Sequence, residues 1–217
     1  MNTQTMNEKV KPKKRRIQER AEITRDNLLN AALALFSERG FDGVTIRDIE
    51  IAAEVQRGLL SYHYDDKNSL WKRVIDRLFG LLDTHMGQRM EFLGELPPRE
   101  RVAFIIRTYV RFAANHPELN RLMIQEGKKD DWRLRYIVDT HIQPIISGLR
   151  ELVEDGVGIT HERFVHWYYV FVGGAALFFS VGPEARALFE VDAQDPQFVE
   201  EHAQFLIDCL LGQDPPR

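Results

Sequence analysis

Gln56, Arg57, Ser61, Tyr62 and His63 lie close together, and their side chains carry groups that can read a nucleic acid. A glutamine amide pairs two-fold with adenine and an arginine guanidinium with guanine, both at base edges in the major groove. Thr45, Arg47, Tyr62 and Lys67 suit the phosphate backbone, which fixes position without conveying sequence. His63 has two open uses, a DNA contact or an internal packing role. The stretch from Thr45 to Lys67 reads as two short helices around a tight corner, followed by the start of a third. That geometry pushes one helix into a major groove.

The elements that must hold this corner are legible on both sides. The spacing predicts a first helix capped by Thr24, with Leu28, Ala31, Ala32, Leu35 and Phe36 inward. Gly40 ends it left-handed, Phe41 folds back, and Asp42-Gly43 turns the chain. Thr45 caps the second helix, whose inner face is Ile46, Ile49 and Ala53; Gln56 opens the third, and Asp65-Asp66 the fourth, from Lys67 to about His85. Upstream, Lys9, Lys11, Lys13, Lys14, Arg15 and Arg16 carry no acid among them, and Pro12 is expected to break any early helix. Residues 1–20 therefore read as a flexible basic arm, with Lys13, Lys14, Arg15 and Arg16 as DNA contacts ordered on binding.

Composition narrows the classes. The 217 residues are 44% apolar and 29% charged, an ordinary globular balance. The net charge of −4 hides an asymmetry: residues 1–80 hold 15 Lys and Arg against 12 acids, whereas 81–217 hold 14 against 21. Only the first half is suited to a polyanion. The longest apolar run, Trp167 to Phe179, is too short to span a bilayer. With no signal region, and Cys209 the sole cysteine, a cytoplasmic protein without membrane partners is expected. Enzyme chemistry is not expected: there is no phosphate loop, HExxH motif or nucleophile elbow, and no catalytic residue, cofactor or metal is assigned. His161 and His166 are five apart, about 140° around a helix, a poor pairing for a metal.

Residues 24–79 resemble the DNA-binding domain of TetR/AcrR-family transcriptional regulators. The resemblance rests on LFSERGFDGVTIRDI, Ala52-Ala53, Val55, Gly58, Leu59-Leu60, the Tyr62-His63-Tyr64 cluster, Lys67 and Leu70, and covers about a quarter of the chain. Val55 is expected to plug the corner, and Gly58 to let the third helix pass close to its neighbours. Two residues depart from the family pattern. Glu54 stands where members usually have the corner glycine, and a left-handed non-glycine costs roughly 1–2 kcal/mol. Glu50 stands where a small residue normally packs, and must reach solvent or a partner such as Arg57.

The resemblance implies a palindromic double-stranded DNA operator, a small-molecule effector and a homodimer, most often a repressor. The fold expected is all-α: a basic arm (1–20), a helix-turn-helix domain (21–84) and a larger helical ligand-binding and dimerisation domain (85–217). Helices are expected near 98–115, 118–127, 131–155, 161–182 and 195–212, with a break at Gly182-Pro183. A ligand pocket is expected from Phe104, Tyr109, Met123, Trp132, Tyr136, Trp167 and Phe171, with Arg107, Gln125, His141 and His166 as polar members. The dimer face is expected from Gly173, Gly174 and Ala176 with Phe198, Phe205, Leu206 and Leu210 of the last helix. The alternative is a protein-interaction module whose helix-turn-helix has lost sequence readout, a reading that Glu50 and Glu54 favour.

Overall fold

The computed structural model describes residues 10–90 and 93–212; the side chains of 10–17 and 88–90 lie outside it. Among the described residues every regular element is a helix, in keeping with an all-α chain. The chain divides into two compact units between Val74 and Ile75, ten residues before the expected boundary.

The first unit holds α1 (Val10–Arg39), α2 (Ile46–Ala52), α3 (Leu59–His63) and the start of α4 (Lys67–Met90). Helix α1 corrects the expected start at Thr24. It runs unbroken from Val10, and Thr24 lies inside it, its hydroxyl donating to the Arg20 carbonyl at 2.9 Å. Pro12 does not break the helix because it occupies the first turn, where a backbone N–H has no helical acceptor in any case. The stretch 10–20 of the expected flexible arm is thus helical, whereas residues 1–9 and the side chains of Lys13, Lys14, Arg15 and Arg16 lie outside the described residues.

Gly40 ends α1 as expected, at φ 72°, with its N–H on the Phe36 carbonyl at 3.0 Å. Phe41 then turns back, its ring 5.7 Å from that of Phe36 and 6.4 Å from that of Trp71. Leu28, Ala32 and Phe36 of α1 are buried, as are Val44, Ile49, Leu60, Leu70 and Trp71. Each large apolar side chain so buried contributes about 1.5–3 kcal/mol before entropy is charged against it. A capping carboxylate opens α4: Asp66 accepts the Ser69 N–H at 2.7 Å, which holds its acid below the ordinary value.

The second unit continues from α4 through α5 (Pro98–Asn115), α6 (Pro117–Glu126), α7 (Trp132–Ile137), a π-helical turn (Val138–Ile142), α8 (Gln143–Val157), α9 (His161–Ser180), α10 (Gly182–Phe189) and α11 (Pro196–Leu211). Helix α5 is central, lying against α8, α9 and α11. Its Val102, Ile105, Ile106 and Val110 share a core with Trp167, Phe171, Ala175, Ala203 and Leu206. Polar bonds tie α5 to α11: Arg111 Nη2 meets Glu200 at 2.8 Å, and Arg107 reaches Glu200 at 3.3 Å and Gln204 at 2.6 Å.

Two expected helices are corrected. The stretch 131–155 is interrupted by the π turn, where the Gln143 N–H reaches back five residues to the Val138 carbonyl. Pro144, which has no N–H to continue an α-helical ladder, follows immediately. After Ser180 the chain does break, but restarts as α10, since Pro183 is tolerated in a first turn. No single described helix is long and apolar enough to cross a membrane. Helices α9 and α10 together reach the length, but they bend by 75°, and α9 buries Phe164, Trp167, Phe171 and Phe179.

Candidate nucleic-acid interface

The corner is built from a capping box. Thr45 Oγ1 accepts the Asp48 N–H at 3.1 Å, and Asp48 Oδ2 accepts the Thr45 N–H at 2.8 Å and its hydroxyl at 2.7 Å. These bonds, the side-chain one foremost, hold the Asp48 acid below its ordinary value. In the free protein they occupy the hydroxyl proton and the N–H of Thr45, which is exposed. After α2 the Ala53 N–H returns to Ile49 O at 2.9 Å, Glu54 N–H to Ile51 O at 3.1 Å, and Val55 N–H to Glu50 O at 3.0 Å. Glu54 sits at φ 55°, so the corner keeps a left-handed shape without the glycine that usually permits it.

Helix α3 starts later than expected. Gly58, at φ 91°, is its N-cap, so Gln56 and Arg57 belong to the turn before it. The reason for glycine here also changes. A Cβ at Gly58 would meet nothing within 4 Å, so positive φ and not close approach selects it. Gly58 has no side chain with which to cap α3, and Glu50 takes that role. Its carboxylate is 2% exposed, with Oε1 2.6 Å from Gly58 N and 3.4 Å from Leu60 N. Oε2 lies 3.7 Å from Arg47 Nη1, so the partner is Arg47 and not the expected Arg57.

Gln56, Arg57, Gly58, Ser61 and Tyr62 are exposed, Tyr62 at 79%. Arg47 is exposed beside them. His63 is half-buried against the Tyr62 ring at 5.0 Å; burial first, then Arg25, lowers its tendency to protonate. Tyr64 anchors the helix, buried, with its hydroxyl donating to Arg25 O at 3.2 Å. Lys67, expected on a phosphate, is half-buried. Its ammonium donates to Val44 O at 2.7 Å and lies 4.0 Å from the Phe41 ring centroid. Neither Glu50 as a cap nor Lys67 as a clasp follows from residue type; the one available signal was a glycine cap whose helix needs an acceptor from elsewhere.

The residues expected around one ligand pocket occupy different surroundings. Tyr109, Trp167 and Phe171 pack within the core, with Phe171 centred 5.2 Å from each of the other two rings; burial raises the Tyr109 phenol above its ordinary value. Phe104, Met123 and Gln125 are half-buried, whereas Trp132 and His166 are exposed. Arg107 is engaged with α11. Tyr136 and His141 both meet Asp76 Oδ1, at 2.7 and 3.1 Å, and the His141 ring stacks on Phe79 at 4.5 Å. A recess of about 250 Å³ is lined by Val191, Asp192, Asp195, Gln197, Phe198 and Glu201, which include none of the pocket residues expected.

The expected dimer residues divide as well. Ala176 and Leu206 are buried in the subunit's own core, and a Cβ on Gly174 would lie 2.9 Å from Leu206 Cδ1, so Gly174 and Leu206 pack α9 on α11 within one chain. Phe198 stacks on Phe178 at 4.8 Å, and Leu210 is half-buried. Gly173 faces open space, and Phe205 is 67% exposed.

Known proteins agree with this head. Residues 28–74 match the family model for bacterial regulatory proteins of the tetR family. The chain is 26% identical to the HTH-type transcriptional repressor NicS of Pseudomonas putida, across 89% of this chain and 93% of that one. It is 34% identical over 55 residues to IcaR of Staphylococcus epidermidis, a negative regulator of the biofilm operon icaADBC, which spans 25% of this chain and 30% of that one. Among solved structures, AibR in complex with isovaleryl coenzyme A and operator DNA superposes with a TM-score of 0.68 at 15% identity, covering 87% of this chain and 98% of that one. With its capped corner, left-handed Gly58 and exposed Gln56 and Arg57, the segment 28–74 is a DNA-binding head of the tetR regulator family.

Proposed function

We propose that the protein is a homodimeric repressor that reads a palindromic DNA site and releases it on binding a small molecule. The observation that carries this reading is the exposed group Gln56, Arg57, Ser61 and Tyr62 at the corner of a fully capped helix-turn-helix. Arg57 reads guanine, Gln56 reads adenine, and Arg47 and Tyr62 hold phosphates. Lys13, Lys14, Arg15 and Arg16 add counterion-releasing contacts.

The homodimer face is the outer side of α9, where Val165, Tyr169, Val170 and Leu177 are at least half exposed around Gly173, joined by Phe205 of α11. Spacings of four and eight residues place most of these on one stripe, and an isologous contact of that kind sets two heads at a fixed separation. The effector enters the second unit. Trp167 Nε1 is buried there without a hydrogen-bond partner, a donor that a bound molecule can satisfy. Release requires the effector to bind the two conformations with different affinity. The protein works in the cytoplasm, and no catalytic step is assigned to it.

Footprinting on DNA around its own coding region, with Gln56→Ala and Arg57→Ala beside the wild type, tests the reading. A protected palindrome is expected, with each substitution weakening it by about 1–3 kcal/mol and relaxing preference at one base position per half-site. Loss of neither protection nor preference in the two variants refutes the assignment.

A further inference from the structure

Glu50 grips both ends of the turn that carries Gln56 and Arg57. Its main-chain carbonyl accepts the Val55 N–H at 3.0 Å, and its side-chain Oε1 accepts the Gly58 N–H at 2.6 Å. Only Gln56 and Arg57 lie between those two amides. The same oxygen is within 3.4 Å of the Leu60 N–H, inside the first turn of α3. Burial makes the grip firm, because a carboxylate 2% exposed has little water to exchange for these amides. Arg47, on the solvent side at 3.7 Å, offsets its charge. The path needs a long side chain with an acceptor oxygen at its end: an aspartate falls one methylene short, and an alanine leaves the Gly58 amide without its acceptor.

We propose that Glu50 is the positioning residue for base discrimination, touching no DNA itself but fixing the turn from which Gln56 and Arg57 project. This rests on the DNA-reading function above. Phosphate contacts set non-specific affinity and its salt dependence, while orientation of the base-reading groups sets the preference for one sequence over another. Loss of the clamp therefore separates the two quantities. Discrimination falls and non-specific binding stays.

The test uses the full-length wild type, Glu50→Gln and Glu50→Ala. The wild type first selects duplexes from a randomised pool; each protein is then titrated with the enriched duplex and a scrambled one over a range of salt. Amide exchange at Gly58 and Leu60 is followed in the free proteins. For Glu50→Ala, the ratio of specific to non-specific affinity is expected to fall about tenfold, with unchanged affinity for the scrambled duplex, unchanged salt slope and faster Gly58 exchange. Glu50→Gln, which keeps a neutral acceptor, is expected to stay within about threefold of the wild type. If the wild type enriches no sequence, the DNA-reading function falls and this proposal with it. If the wild type enriches one and Glu50→Ala discriminates as well as it does, or Glu50→Gln loses as much as Glu50→Ala, the positioning role alone is overturned. Should Glu50→Ala fail to fold, Glu50→Asp is read by the same ratio, and undiminished discrimination in it overturns the proposal equally.

Discussion

Replacing Glu54 by glycine should stabilise the head, an unusual result for a truncation in a tight corner. Glu54 is held at φ 55° with its side chain in solvent, so removing that side chain forfeits no burial. The left-handed conformation costs a non-glycine residue roughly 1–2 kcal/mol. Glycine recovers that cost but gives the unfolded chain more freedom, which returns about 0.5–1 kcal/mol. The balance is a gain of about 0.5–1 kcal/mol. Glu54→Ala is the decisive control, because it removes the same charge yet keeps the Cβ that clashes. Hydrogen exchange of the Ala53 and Tyr64 amides, which bond Ile49 O at 2.9 Å and Leu60 O at 2.8 Å, reports local opening of α2 and α3. Glu54→Gly should slow both about two- to fivefold, and Glu54→Ala should slow neither. Equal slowing in the two variants would assign the gain to charge removal and refute backbone strain; faster exchange in the glycine variant would refute it as well, since there would be no gain.

On α9, Gly174→Ala drives a methyl to 2.9 Å from Leu206 Cδ1 inside the subunit and should cost about 1–2 kcal/mol in urea denaturation. Arg111 first, then Arg107, holds the Glu200 acid below its ordinary value of 4.5, so the bond contributes above that value and fades as pH falls through the lowered one. The stability difference between wild type and Glu200→Gln, followed by thermal melts, should accordingly be largest near neutrality and shrink in acid; because Glu200 is 41% exposed, that free-energy difference should amount to no more than about 1 kcal/mol. Replacing Lys13, Lys14, Arg15 and Arg16 by alanine should flatten the salt dependence of DNA binding by about 0.9 for each phosphate no longer neutralised, and an unchanged slope would leave that basic cluster without a role on DNA.

The order of the head was readable because its signals are local. Gly40 and the Thr45 cap each depend on a few neighbouring residues, and the left-handed place of Glu54 was legible through the family resemblance. What escaped depends on where the chain goes afterwards. Lys67 has the charge of a phosphate ligand, but only the fold brings Val44 and Phe41 beneath it. Glu50 raised the right question about a buried acid; its answer lay in two amides eight and ten residues on and in Arg47, not in the oppositely charged Arg57. Pro12 misled because a proline stops a helix only beyond its first turn. In α9 the small residues read alike, as one expected dimer face, yet Gly173 and Gly174 differ by about 100° around the axis. Only the packed structure shows that one meets Leu206 and the other does not.

The π turn carries a consequence for how the second unit holds its part of α4. Tyr136 and His141 are five residues apart, a spacing that an ordinary helix would splay by about 140°. The wider winding at Val138–Ile142 lets both reach one oxygen of Asp76. Two donors from one continuous stretch thus share a single acceptor. Displacing Asp76 therefore strains both bonds at once, and the turn ties two side chains of one stretch to a single point on α4.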